Sequence, residues 1–164
     1  TADCVKRADP SVIVCLGGPH VDAFPRESLA FPSIDFAFRG EAEKSFVQFL
    51  DALESGKSPG NIGGICSRVD GKAVTDAAPQ VASDLDALPF PARDLVNQSD
   101  YYYVLGKRST FTTLITSRGC PFKCIFCSTP HGAHRVRSPG NIADEIEIAA
   151  RGGAEELVTA NDRQ

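Results

Sequence analysis

Methionine is missing from all 164 residues, the first position included. A complete reading frame normally opens on Met, so the chain is expected to be an internal stretch of a longer protein, cut at both ends. No apolar run approaches the ~20 residues a membrane-spanning helix needs. The N-terminal TADCVKRADP lacks the apolar core of a signal peptide. The expectation is no transmembrane segment and a cytoplasmic location. An excess of positive charge is missing too: 17 Lys and Arg stand against 21 Asp and Glu, a net charge of −4. That speaks against nucleic acid or an anionic membrane as the main partner. There is no internal repeat and no low-complexity stretch.

What is present is ordinary for a globular chain: 42% hydrophobic and 23% charged residues. The six cysteines are the exception, because three of them fall between positions 120 and 127. In a secreted chain six would fit three disulfides. Tight clustering with no export signal points to metal or redox chemistry instead. Cys4, Cys15 and Cys66 are scattered and read as small buried hydrophobes.

Along the chain, residues 11–16 (SVIVCL) form an apolar, β-branched run stopped by Gly17-Gly18-Pro19, which predicts a buried parallel strand. Residues 21–31 predict a short helix with Pro25 near its start. Residues 34–38 alternate and predict a second strand, with a turn at Arg39-Gly40-Glu41. A helix is expected over 42–54, with Phe46, Val47, Phe49, Leu50 and Leu53 on one face. Residues 65–74 predict a hairpin turning at Asp70-Gly71. Residues 75–100 carry Pro79, Pro89 and Pro91 without a period, which marks a linker and a domain boundary. Residues 111–116 predict a strand. A helix follows, begun by Pro139, capped by Ser138, striped by Ile142, Ile146 and Ala149-Ala150, and ended by Gly152-Gly153. Residues 156–159 begin another strand. The order of elements makes the chain α/β with parallel sheets.

The chemistry lies in Ser117-Arg118-Gly119-Cys120-Pro121-Phe122-Lys123-Cys124-Ile125-Phe126-Cys127. Thiolates at C-x3-C-x2-C spacing are soft ligands suited to an iron–sulfur cluster or to zinc. Zinc needs a fourth ligand, and His131 and His134 are near enough in sequence to compete for that place. Three thiolates on a four-iron cluster leave one iron open, unlike the closed clusters of ferredoxins. The loop follows a strand, and active sites of α/β folds gather at the carboxyl ends of strands.

A strand followed by Gly-Cys-Pro-x-x-Cys-x-Phe-Cys resembles the cluster loop of radical S-adenosylmethionine (SAM) enzymes. The resemblance implies that Cys120, Cys124 and Cys127 hold a [4Fe-4S] cluster whose open iron chelates SAM. One electron from the reduced cluster then cleaves the C–S bond of SAM and yields a 5′-deoxyadenosyl radical. It places Phe126 beside the adenine of SAM. Arg135-Val136-Arg137-Ser138-Pro139 and the helix Ile142-Ala143-Asp144-Glu145-Ile146-Glu147 also resemble the family's first helix. Asn161-Asp162 sits where relatives often carry an acidic pair, but the Asn departs from it and no role is assigned.

The stretch Val14-Cys15-Leu16-Gly17-Gly18-Pro19-His20, with Arg39-Gly40-Glu41-Ala42-Glu43 and the helix to Leu53, resembles the later part of a cobalamin-binding domain. In one class of radical SAM enzymes that domain precedes the barrel. Asp84-Leu85-Asp86-Ala87-Leu88-Pro89-Phe90-Pro91 resembles the linker of that class. The resemblance implies a partial doubly wound, Rossmann-like domain over 1–60, a hairpin and Pro-rich linker over 61–107, and the first βαβ unit of a (β/α) partial TIM barrel over 108–164. Gly17, Gly18, Gly40 and Glu41 would line the nucleotide tail of cobalamin, while a fold remnant binding nothing is the bland alternative. His20 is a tail contact or a plain loop residue.

The function so implied is a cobalamin-dependent radical SAM enzyme, such as a methyltransferase, acting on a small-molecule or lipid-like substrate. Its electrons would come from a donor such as flavodoxin or ferredoxin. An oxidative cyclase or methylthiotransferase of the same superfamily, or a zinc-bound structural module, are the alternatives. The stretch alone is expected to be inactive, since most of the barrel would lie beyond it.

Overall fold

The computed structural model describes residues 1–74, 78–101, 103–107, 110–122, 124–126 and 133–160. The chain divides into two compact units, Thr1–Ala82 and Ser83–Gln164.

The first unit is a four-stranded sheet in the order β1-β2-β3-β4, with β1 Cys15–Gly17, β2 Phe36–Phe38, β3 Ile65–Val69 and β4 Lys72–Val74. Helix α1 (Ala2–Ala8), not foreseen in the sequence, precedes β1. Between β1 and β2 run α2 (Pro19–Ala23) and α3 (Pro25–Ser28). Helix α4 (Glu43–Glu54) follows β2. β1 and β2 are parallel, Cys15 opposite Phe36 and Gly17 opposite Phe38.

Alternation along β2 builds a core on each face of the sheet. Ala37 packs with Val21, Leu29, Ile34 and Cys66 on the side of α2 and α3. Phe36 and Phe38 meet Phe49 of α4 edge-on, with ring centroids 4.9 and 5.3 Å apart. Helices on both faces of a parallel pair are the doubly wound arrangement expected.

Four details differ from the sequence expectations. The first strand starts at Cys15, not at residue 11, because Asp9 accepts from the backbone and hydroxyl of Ser11 (2.8 and 2.6 Å) and turns the chain there. Val12 and Ile13 are exposed as a result. Pro25, with no N–H to donate, splits the expected single helix into α2 and α3. On α4 only Phe49 and Ser45 are buried, while Phe46, Val47 and Leu50 stay exposed. Finally, the hairpin is not part of a linker. β3 pairs antiparallel with β2, Phe38 opposite Ile65, so the hairpin extends the sheet. Its Asp70-Gly71 turn has both φ values positive, 50° and 75°, as expected of this dipeptide.

The second unit contains β5 (Phe111–Ile115), β6 (Ser117–Arg118), β7 (Arg135–Val136), α5 (Pro139–Arg151) and β8 (Glu156–Ala160). β5 and β8 pair in parallel from Phe111 opposite Glu156 to Ile115 opposite Ala160, with α5 between them: one βαβ unit. Ser138 caps α5, its hydroxyl accepting from the N–H of Asn141 at 3.2 Å. The inward stripe of α5 is not the one expected, because its buried residues are Glu145 and Ala149 and Ile146 is exposed. Among the described residues no closed barrel is present. None of their helices is long and apolar enough to cross a membrane.

Candidate functional site

The cysteine loop leaves the carboxyl end of β5 through β6. Gly119 has φ 78°, a left-handed value that a side chain would strain, and it turns the chain out of β6 into the loop. Cys120 is half-buried, Cys124 is exposed, and both are free thiols. Beside them Phe122 and Ile125 are exposed and Phe126 is 89% exposed. Soft donors and an unpacked aromatic thus share one open loop. The chemistry of this donor set is compatible with an iron–sulfur cluster and with zinc. Cys127 and His131 lie outside the described residues, as do Asn161 and Asp162. Among the described residues no three His, Cys, Asp or Glu side chains converge as a metal site. His134 is half-buried.

The base of this loop is closed twice. β6 and β7 pair antiparallel, Ser117 opposite Val136 and Arg118 opposite Arg135. Next to that pair, the backbone N–H of Arg137 donates to the carbonyl of Thr116 at 3.0 Å, and its guanidinium donates to the carbonyl of Ile115 at 2.9 Å. The same guanidinium reaches Asn141 Oδ1 at 2.6 Å and pairs with the second carboxylate oxygen of Glu145. Arg93 takes the first oxygen of Glu145 at 2.5 Å, and also Thr112 Oγ1 at 2.9 Å and the carbonyl of Thr113 at 2.7 Å. The Glu145 side chain is 2% exposed, and those of Arg93 and Arg137 are 13% and 10% exposed. Removing that carboxylate would take from two enclosed guanidiniums the partner they share, a loss of about 3–5 kcal/mol for a broken buried pair.

Sequence reasoning missed this cluster. The available signal was a glutamate three residues after Ile142 and four before Ala149, and so in line with an apolar stripe.

In the first unit, Gly17 and Gly18 end β1, and Gly40 follows β2 on the same side of the sheet. Asp22 on α2, also unforeseen, accepts from the N–H of Gly40 at 2.6 Å and ties the two loops together. Gly18 (φ 100°) would have nothing within 4 Å of an added Cβ, so its backbone is open to close approach. Gly40 differs: an added Cβ would lie 2.8 Å from Pro79 Cβ. Glu41 accepts from the N–H of Ala82 at 3.1 Å. Gly18 is therefore the open part of the expected cobalamin edge, Gly17 lies in ordinary contact with Phe38, and Gly40 and Glu41 hold the segment leading to Ala82. His20 is exposed, with its ring 5.6 Å from that of Phe24. Cys66 is fully buried, and burial with the nearby Asp35 charge raises the thiol pKa of Cys15, as suits packed rather than reactive cysteines, whereas Cys4 is exposed on α1 and is not the buried hydrophobe expected.

Fold and loop together define an α/β protein with a cysteine loop at the carboxyl end of its sheet. No family model matches the chain. It is 34% identical over 129 residues to an uncharacterized methyltransferase of Pyrococcus horikoshii, covering 78% of this chain and 28% of that protein. It is 30% identical over 159 residues to the anaerobic magnesium-protoporphyrin IX monomethyl ester cyclase of Rubrivivax gelatinosus, covering 92% and 28%. Among solved structures, the cobalamin-dependent SAM radical enzyme OxsB, with aqua-cobalamin and SAM bound, matches with a TM-score of 0.72 at 20% identity. The match covers 98% of this chain and 22% of that one, and supports the shared fold. The chain is thus homologous to methyltransferases and cyclases, among them a cobalamin-dependent radical SAM methyltransferase of Streptomyces tokunonensis. It spans about a third or less of the length of the relatives it matches.

Proposed function

We propose that this chain is the joint between the two cofactor domains of a cobalamin-dependent radical SAM enzyme. The unit to Ala82 is the later part of a cobalamin-binding domain, and the unit from Ser83 opens the radical SAM barrel. The observation that carries this is the loop after β6: free thiols at Cys120 and Cys124, with Phe126 exposed beside them, leading into a βαβ unit.

Cys120, Cys124 and Cys127 hold a [4Fe-4S] cluster, and Phe126 lies against the adenine of SAM. When bound, the cluster supplies the electron for reductive cleavage of SAM. The chain's own residues hold the soft donors at the rim of the sheet, offer an apolar face to the cosubstrate and fix the loop's base. At the other site, the open backbone of Gly18, next to Gly17, admits the nucleotide tail of cobalamin. Gly40 and Glu41 shape that edge from behind, through Pro79 and Ala82. The substrate is a small molecule, and the reaction is methyl transfer or cyclisation at an unreactive carbon, with electrons from a flavodoxin or ferredoxin.

The test is anaerobic reconstitution of the full-length protein with iron and sulfide, then EPR of the reduced protein before and after SAM, beside Cys127→Ala. The expected result is a four-iron signal that shifts with SAM and is lost in the variant. Bound zinc without an EPR signal would overturn the proposal in favour of a structural metal site.

A further inference from the structure

Among the described residues of the cysteine loop, Cys124, Phe122, Ile125 and Phe126 are exposed, so contacts outside the loop are needed to fix where its thiols stand. We propose that Glu145 is the positioning residue of the cysteine loop. Its single buried carboxylate fastens the strand that enters the loop, the segment that leaves it and the chain that runs up to them. This rests on the cluster assigned above.

The geometry is specific. Arg137 stands one residue past the last pairing of β7, Val136 with Ser117, where the chain returns from the loop. It bonds backward to Ile115 and Thr116, the two residues before β6. Arg93 grips β5 itself through Thr112 and Thr113. Each arginine then takes one oxygen of Glu145 on α5. Entry and exit of the loop therefore converge on one side chain.

The electrostatics make Glu145 the point that cannot be replaced by shape alone. Two guanidiniums face one carboxylate, so the cluster carries a net positive charge with all three side chains largely out of water. Replacing Glu145 with the isosteric Gln removes the only negative group from that trio. The two cations then repel, and the easiest relief is for Arg137 to let go, which frees the exit of the loop. Glu147, on the exposed side of the same helix, makes a solvent-facing i,i+4 pair with Arg151, with side chains 63% and 73% exposed. It offers a matched control.

Release of iron to a ferrous chelator would be followed in the reconstituted full-length protein, with far-UV circular dichroism at the same temperature. Outer-shell changes typically alter metal retention by about 10–100-fold. Glu145→Gln is expected to release iron about 10-fold faster or more while its dichroism stays native, and to alter the EPR line shape. Glu147→Gln is expected to match wild type. Should Glu145→Gln not fold, Arg93→Gln keeps Arg137 and Glu145 as a one-to-one pair. It is expected to fold and to show a smaller but clear rise. Wild-type release from folded Glu145→Gln or Arg93→Gln overturns the proposal and leaves the cluster assignment standing. An equal rise in Glu147→Gln also overturns it. A wild-type protein that takes up no four-iron cluster overturns the cluster assignment, and this proposal with it.

Discussion

The carboxylate of Asp22 accepts a hydrogen bond from the backbone N–H of Gly40 at 2.6 Å, joining the first turn after β1 to the turn after β2 across 18 residues of sequence. Both turns sit at the edge of the sheet where a nucleotide would lie, so this bond sets the spacing of the proposed cobalamin edge. Asp22→Ala removes the acceptor and leaves the Gly40 N–H to water. The expected loss of stability is about 1 kcal/mol, the net worth of an ordinary hydrogen bond, read from the denaturant midpoint. Cobalamin retention should fall, measured by absorbance after gel filtration. Asp22→Asn keeps an acceptor oxygen and should restore most of both.

Gly18 and Gly40 give a second, contrasting pair. At Gly18, φ is 100° and ψ −177°, a region that essentially only glycine occupies. The surrounding space is open, so Gly18→Ala carries a backbone cost alone, about 1–3 kcal/mol. At Gly40 an added Cβ meets Pro79 at 2.8 Å as well as a φ of 67°. Gly40→Ala should therefore destabilise more than Gly18→Ala. If cobalamin approaches the Gly17–Gly18 turn, the order inverts for cofactor retention: Gly18→Ala loses more. Chemical denaturation and cobalamin absorbance on both variants check the two orders.

Phe126 separates stability from function. It is 89% exposed and so contributes little to packing. Phe126→Ala should change stability by no more than about 0.5 kcal/mol, as surface substitutions do. The SAM-induced shift of the EPR signal should require distinctly higher SAM concentrations. A large drop in melting temperature would show that the ring is packed in solution and is not waiting for adenine.

Much of this was legible in the sequence where one residue decides one feature. Ser138 and Pro139 start α5 and Asp70-Gly71 turns the hairpin, each by a local rule that needs no tertiary context. The rest was set by partners distant in sequence. Whether residue 11 or 15 opens the first strand depends on the side chain of Asp9. Where the hairpin belongs depends on Phe38 meeting Ile65. The role of Glu145 depends on Arg93, 52 positions earlier, standing beside it. The thiolate loop was legible because its chemistry is carried by adjacent residues. The Asp22 and Glu145 contacts were not, because each joins segments that only folding brings together.

Asp86 supplies a pH dependence with a defined sign. Hydrogen bonding from Ser138, its side chain foremost and then its backbone, holds the carboxyl of Asp86 below the ordinary carboxylate value. The N–H of Ser138, the cap of α5, donates to Asp86 Oδ1 at 2.9 Å. A lowered folded-state value means that the ionised form is preferred by the folded chain. Its stabilising contribution is then present above the unfolded carboxylate range near ~3.9. It fades as pH falls through the lower folded value. Asp86→Asn should therefore be less stable than wild type at neutral pH, and the gap should close on acidification. Urea midpoints of the two proteins from pH 7 downward measure it. A gap that widens in acid would mean that Asp86 is better bound to Ser138 as the neutral acid, contrary to the direction of its shift.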